Sequence, residues 1–415
     1  MAKKSSKGKI VACLDLGSSK LVSVIASVNG DDVKVLGFGH KEAIGINSST
    51  ISDMNLAQKS ITNVVAQAER MAGFNIDKLL VGISGIQSSS RTIEVSSKIS
   101  SDIVKNTDIV NLTGKVRAQF KKNNREIIHL IPLEYRIDDS SAVVNPRYMS
   151  GDVLYAKFHV VSTSQTTIKN IENCLSRCQL SVNNYIVEPY AAALSCLSQN
   201  DMNLGSLVIE MGARSTSLAI ILDGKFVKIA SLPIGGFHIT KDISTILNIS
   251  TDLAEKIKNL NGSLIISPIE EKEMIKMKLS AANEISENSE IIGITRIQLR
   301  DIMQSRLEEI FESAKKLLQK AGIPTYIIGN IILTGGVTSI VGIDKLATEI
   351  FDKNVKIGYP NKIDSIPSEI LNPANCCSIG MLVFLKNIYA KEKSKDGFES
   401  RPSFMTKLID KLAGI

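Results

Sequence analysis

Three glycine turns, each following an apolar run, carry the residues of this chain best suited to chemistry. They are Asp15-Leu16-Gly17-Ser18-Ser19-Lys20, Glu210-Met211-Gly212-Ala213-Arg214-Ser215 and Leu333-Thr334-Gly335-Gly336. Glycine lets a backbone approach a ligand closely, turn amides donate to phosphate oxygens, and hydroxyls add donors. A carboxylate on the preceding strand, Asp15 or Glu210, can hold magnesium through water. A single glycine after a strand is ordinarily only a turn. Three in one chain, two of them in the same local pattern, point to a phosphate cradle.

The elements that must position these turns form a β-meander that occurs twice. IVACLDL, the first turn, LVSVIASV, the hairpin signal Asn29-Gly30 and VKVLGFG make one copy. SLVIEM, the second turn, TSLAIIL, Asp223-Gly224 and FVKIASL make the other. Such repetition predicts a duplicated α/β architecture. After the first copy, Asp53 caps a helix with Leu56, Ile61, Val64, Val65, Ala68 and Met71 at helical spacing, stopping near Gly73; LLVGIS then reads as a buried strand. After the second copy come helical stretches over roughly 240–261, 267–287 and 296–321, then NIILTGG and a helix over about 342–351. Between Gly85 and Val161 the texture changes to strand (SRTIEVS), helix (Asp108 to Phe120) and two strands (REIIHLIPLEY, LYAKFHVV), with no phosphate turn. This is an inserted subdomain whose strand edges suit protein contact; an inert insertion has the same pattern.

Composition narrows the function classes. The 415 residues carry a net charge of +7, 44% hydrophobic and 22% charged residues, as in ordinary multidomain globular chains. Aromatics at 5%, without tryptophan, do not make the basic, aromatic-studded face of a nucleic-acid binder, so no nucleic-acid partner is expected. The six cysteines lack metal-ligand spacing and read as reduced thiols of a cytoplasmic protein. No signal-peptide core opens the chain, and no apolar run approaches the roughly 20 residues of a membrane span.

DLGSSK resembles the first phosphate motif of the actin/Hsp70/sugar-kinase superfamily, ILTGGVTSIVGI its adenosine motif, and VEPYAAALSCL the helix after its first domain. Within that superfamily, REIIHLIPLEYRID, NPRYMSG and ENCLSRCQLSVNNYIVEP resemble the FtsA family of bacterial cell-division proteins. The resemblance implies a duplicated actin/Hsp70-like ATPase fold of class α/β, with an inserted 1C subdomain and a C-terminal amphipathic helix. Subdomain 1A would take 8–84, 162–199 and 365–390; 1C, 85–161; 2A, 200–239 and 325–364; 2B, 240–324; a linker, 391–402.

The same resemblance implies ATP and Mg2+ as cofactors. Asp15, Gly17, Ser18, Ser19 and Lys20 would face phosphate and magnesium, with Glu210 as the second metal-side carboxylate. Gly212, Ala213, Arg214 and Ser215 would oppose them. Gly335 and Gly336 would lie against adenosine, and Glu255 and Lys258 beside base and ribose. Glu188 matches the position that orients attacking water in relatives; equally, it is a helix N-terminal carboxylate before Pro189, favoured there by the macrodipole. The second turn departs from the family's Asp-x-Gly-Gly-Gly-Thr. The longer Glu210 could displace magnesium, and side chains crowd the approach, although Arg214 could itself pair with phosphate. ATP is therefore expected as a structural or polymerisation ligand, turned over slowly or not at all.

By resemblance, the partners are FtsZ (through 2B), other copies of the chain in a filament (through 1C), later division proteins and an anionic lipid surface. The place is the cytoplasmic side of the inner membrane at the division site, held peripherally. The alternatives are a sugar or acid kinase, for which no acceptor-side base is recognisable, and a pilus-assembly relative, expected to lack the terminal helix.

That helix is SFMTKLIDKLAGI, residues 403–415. At about 100° per residue, Phe404, Met405, Leu408, Ile409, Leu412 and Ile415 gather within roughly 140°, with Lys407 and Lys411 at the interface edge. It reads as a weak lipid anchor that becomes strong when a filament presents several copies. Docking on the body or on a partner is the competing reading.

Overall fold

The computed structural model describes residues 8–30, 32–278, 291–361, 363 and 366–395. The first meander is β1 (Lys9–Leu16), β2 (Lys20–Asn29) and β3 (Asp32–Glu42). β4 (Ile46–Asn47) and β5 (Thr50–Ile51) then pair across a tight turn in which Ser48 and Ser49 have φ of 46° and 60°. α1 (Met54–Ala72) begins where the Asp53 carboxylate accepts from the Asn55 and Leu56 amides, both at 2.9 Å, and ends at left-handed Gly73. Its Ile61, Val64, Val65 and Ala68 are buried, but Leu56 and Met71 face outward. β6 (Lys78–Ile83) follows.

The insertion consists of β7 (Ser88–Lys98), α2 (Asn106–Lys122), β8 (Arg125–Ile137) and β9 (Val153–Ser164). Its sheet runs β7-β9-β8, and Leu112, Val116 and Phe120 of α2 join its own small core. The chain returns through α3 (Gln165–Arg177), β10 (Ser181–Val187) and α4 (Glu188–Cys196), whose first turn carries Pro189. The first lobe is thereby a five-stranded sheet, β10-β6-β1-β2-β3. In β1, Leu14 and Leu16 enter the core on one face, Val11 and Cys13 that on the other. This alternation explains why the strand reads as continuously apolar.

α5 (Gln199–Leu204) leads into the second meander: β11 (Ser206–Met211), β12 (Thr216–Leu222) and β13 (Lys225–Leu232). Asp223 and Gly224, with φ of 49° and 71°, close its hairpin. Next come α6 (Gly236–Leu247), α7 (Thr251–Asn261), β14 (Met274–Lys278), β15 (Ile291–Thr295), α8 (Arg296–Lys320), β16 (Asn330–Thr334), α9 (Ile343–Phe351), β17 (Val355–Ile357) and α10 (Cys376–Lys395). The second five-stranded sheet, β13-β12-β11-β16-β17, repeats the order of the first. The duplicated α/β fold is present.

Local expectations fail at three places. The stretch 240–261 is two helices, α6 and α7, broken where Asn248 turns left-handed (φ 51°) and Ser250 caps anew. Within 267–287, the described part holds strand β14, paired antiparallel with β15, rather than a helix. The β-branched partner Ile291–Thr295 supplies the pairing that a helical reading of 267–287 ignores. Finally, residues 391–395, expected as the start of a tether, continue α10, which runs to Lys395. The expected lipid anchor (403–415) lies outside the described residues.

Candidate functional site

The three glycine turns meet at one cavity of about 290 Å3 between the lobes. Its floor follows from the meander geometry, because β1 and β11 each end in a turn and each pairs in parallel with the strand beside it. Asp15, Gly17, Ser18, Ser19 and Lys20 all line it from the first lobe. Glu210, Gly212, Ala213 and Ser215 line it from the second. Glu188, Glu255, Lys258 and Gly336 line it as well.

Each turn is braced. A Cβ on Gly17 would sit 2.6 Å from the Lys20 carbonyl oxygen, so the turn closes only with glycine. The Gly212 amide donates to Ser215 O at 2.9 Å, and Gly236 at the start of α6 donates back to Gly212 O at 3.0 Å. Gly335 does not line the cavity. It has φ 93° and lies so close to Met211 that a Cβ would be 2.4 Å from the Met211 carbonyl oxygen, so it shapes the turn that presents Gly336. Arg214 is also outside the lining: it is exposed and stacks on Phe237, its guanidinium 4.4 Å from the ring centroid. Lys258 donates to Glu255 at 2.7 Å, to Thr240 Oγ1 at 2.8 Å and to Gly236 O at 3.2 Å, fixing one wall.

Several residues reach the site without a motif to announce them. Ser48 donates its amide to Ser18 Oγ at 3.2 Å, and the two hydroxyls lie 2.9 Å apart. Ser49 donates to Glu188 Oε1 at 3.3 Å and receives the Ser84 amide at 2.8 Å. Lys20 Nζ donates to Asn375 Oδ1 at 2.7 Å, tying the first turn to the start of α10. The only signal for these in sequence is the polar run Asn47-Ser48-Ser49-Thr50 between apolar segments.

Electrostatically, three carboxyls crowd one ammonium. Burial holds Asp15 above the usual carboxylate range despite Lys20. Burial and then Asp15 push Glu210 up to about 8. Burial, Asp15 and Glu210 hold Glu188 well above its ordinary value against the hydrogen bonds from Ser49 and Ser84. Burial lowers Lys20. A cation would relieve this crowding. Among the described residues no three metal-ligating side chains stand close enough to hold an ion directly; a cation kept in its waters would need only carboxylates such as Asp15 and Glu210 nearby. With the glycine turns, hydroxyls and two lysines, the residues present fit a magnesium–nucleotide.

One consequence concerns pH. Glu210 titrates near its ordinary 4.5 when unfolded and about 8 when folded. Across that window the unfolded chain has shed a proton that the folded chain keeps, so stability falls as pH rises. The ligand-free protein should melt lower at about pH 8 than at about pH 6, with a slope of up to about 1 kcal/mol per pH unit, and Glu210→Gln should flatten it. Thermal melts across that range check this; a stability that rises toward pH 8 contradicts it.

Paired lobes of this topology around such a cleft define the actin-like ATPase fold. The structure of a PilM-PilN type IV pilus biogenesis complex superposes with a TM-score of 0.65 at 15% identity, covering 91% of this chain and 98% of that one. MreB5 of Spiroplasma citri bound to ADP gives a TM-score of 0.55 at 16% identity, covering 93% and 99%. The Cell division protein FtsA family model matches residues 207–380, and the SHS2 domain inserted in FTSA matches 85–162. Cell division protein FtsA of Agrobacterium fabrum is 28% identical over 391 residues, 92% of this chain and 88% of that protein. The chain belongs to the FtsA family of cell-division proteins.

Proposed function

We propose that this chain binds Mg·ATP in the cleft, assembles with its own copies and tethers FtsZ filaments to the cytoplasmic face of the inner membrane, where later division proteins join. One observation carries the nucleotide part: glycine turns from both lobes, four carboxyls and two lysines converge on one cavity. The ADP held by the similarly folded MreB5 supports the ligand class. Lys20 and the amides of the first two turns would hold phosphate, Asp15 and Glu210 the waters of magnesium, and Lys258 and Glu255 the sugar side. Bound magnesium supplies charge neutralisation for the phosphates. Glu188 faces the cleft where a water could be held, but burial, Asp15 and Glu210 hold its pKa well above the usual carboxylate range in the free protein, which weakens it as an acceptor. Slow turnover follows, and nucleotide acts chiefly as a ligand of the assembled state.

The membrane part rests on the terminal sequence. Exchanging Leu408 and Leu412 for Glu should abolish pelleting with anionic vesicles while leaving the thermal melt of the body unchanged, because the exchange breaks the apolar arc. Equal pelleting of the variant and the parent protein would sink the anchor, and a lost melt would place the tail in the core.

A further inference from the structure

His129 lies on β8 of the insertion, buried at 4% exposure, far in sequence from every glycine turn. Its Nε2 accepts the Val187 amide at 3.1 Å. Val187 ends β10, an outer strand of the first sheet, and is the N-cap of α4, whose first residue is Glu188. Burial pushes His129 down to about 3, so it remains the neutral acceptor this bond requires. Its ring also meets Tyr190 on α4 edge-on, centroids 5.2 Å apart. Two residues flanking Glu188 are thus gripped by one histidine of the insertion.

The carboxyl of Glu188 is gripped as well, by Ser49, which receives the amide of Ser84, the residue before the insertion's first turn. The insertion is fastened to the second lobe too. Ser90 of β7 donates to Ile229 O at 3.0 Å and receives the Ile229 amide at 2.9 Å, and Lys225 donates to Leu133 O. Tyr190 stacks on Phe226 of β13, centroids 4.6 Å apart. The inserted domain therefore bridges the two lobes and ends on the helix that carries a cleft carboxyl.

We infer that His129 is a positioning residue for Glu188, and that through it the inserted domain and the occupant of the cleft report on one another. The inference rests on the nucleotide reading of the cleft. Whatever shifts α4 on nucleotide binding must act on β8 through the His129–Val187 bond, and by linkage whatever seats the insertion must act on Glu188. A merely structural histidine capping an outer strand would hold Val187 but transmit nothing.

The test is amide hydrogen exchange on the full chain, with and without a non-hydrolysable Mg·ATP analogue, in the parent protein, His129→Ala and His129→Gln. In the parent, the analogue should slow exchange at the first two glycine turns and also along β8. Without ligand, His129→Ala should expose the Val187 amide, speeding its exchange by about tenfold or more. With ligand, its turns should remain protected while β8 no longer responds. The amide oxygen of His129→Gln should restore both effects. Unchanged Val187 exchange in His129→Ala, a β8 response that survives there, or no recovery in His129→Gln overturns the inference. Protected turns with an unresponsive β8 in the parent overturn it without any variant. If ligand protects neither turn, the cleft reading itself fails and the coupling falls with it.

Discussion

Asp15→Asn should weaken magnesium-dependent ATP binding by about ten- to a hundredfold while raising the melting temperature of the ligand-free protein. Asp15 lies one residue before the end of β1, opposite Val22, is 8% exposed, and sits among Glu188, Glu210 and Lys20. A charge-assisted hydrogen bond is worth about 1.5–3 kcal/mol, which is about ten- to a hundredfold in affinity, and a neutral amide forfeits it toward the waters of a cation. Without ligand the same charge is a burden, because burial outweighs the help of Lys20. Removing it should gain about 1 kcal/mol. Titration with ATP in magnesium and in chelator, beside thermal melts, checks both halves. Parental affinity, or a lower melt, would show that Asp15 is not a cleft ligand held at a cost.

Gly380→Val should destabilise the first lobe by about 3 kcal/mol or more, enough to deplete soluble protein. Here α10 crosses α4, and a Cβ on Gly380 would stand 1.7 Å from the Ala191 carbonyl oxygen. The obstacle is helix backbone, not a side chain that can swing away. Relief requires α10 to lift, and α10 also buries Ile379, Met381, Leu382 and Leu385 against the sheet. Asn375, the partner of Lys20, immediately precedes it, so lifting α10 should also disturb the first glycine turn. Urea unfolding checks the loss; a midpoint within about 0.5 kcal/mol of the parent protein would contradict this crossing.

What could be read from sequence was what is local. The two meanders were legible because alternation, turn glycines and the Asn29-Gly30 and Asp223-Gly224 pairs all act within a few residues. Asp53 and Gly73 marked the ends of α1 for the same reason. The failures share one cause, a distant partner. β14 is a strand because β15 pairs with it, across residues that no helical window spans. Arg214 sits in a phosphate-turn motif, yet Phe237 offers its guanidinium a face outside the cleft. Ser49, Ser84 and Asn375 carry no motif; topology alone brings them to Glu188 and Lys20. His129 carries no motif either; the fold alone brings its ring to the Val187 amide.

The account turns on the cleft taking nucleotide together with a cation. Calorimetric titration of the full chain with ATP, in magnesium and in chelator and in buffers of differing ionisation heat, measures this directly. One saturable site should appear that depends on magnesium, with heats that reveal proton release as the cation discharges the raised carboxyls of Glu188 and Glu210. Absence of saturable binding, or equal affinity in chelator without proton release, would contradict it.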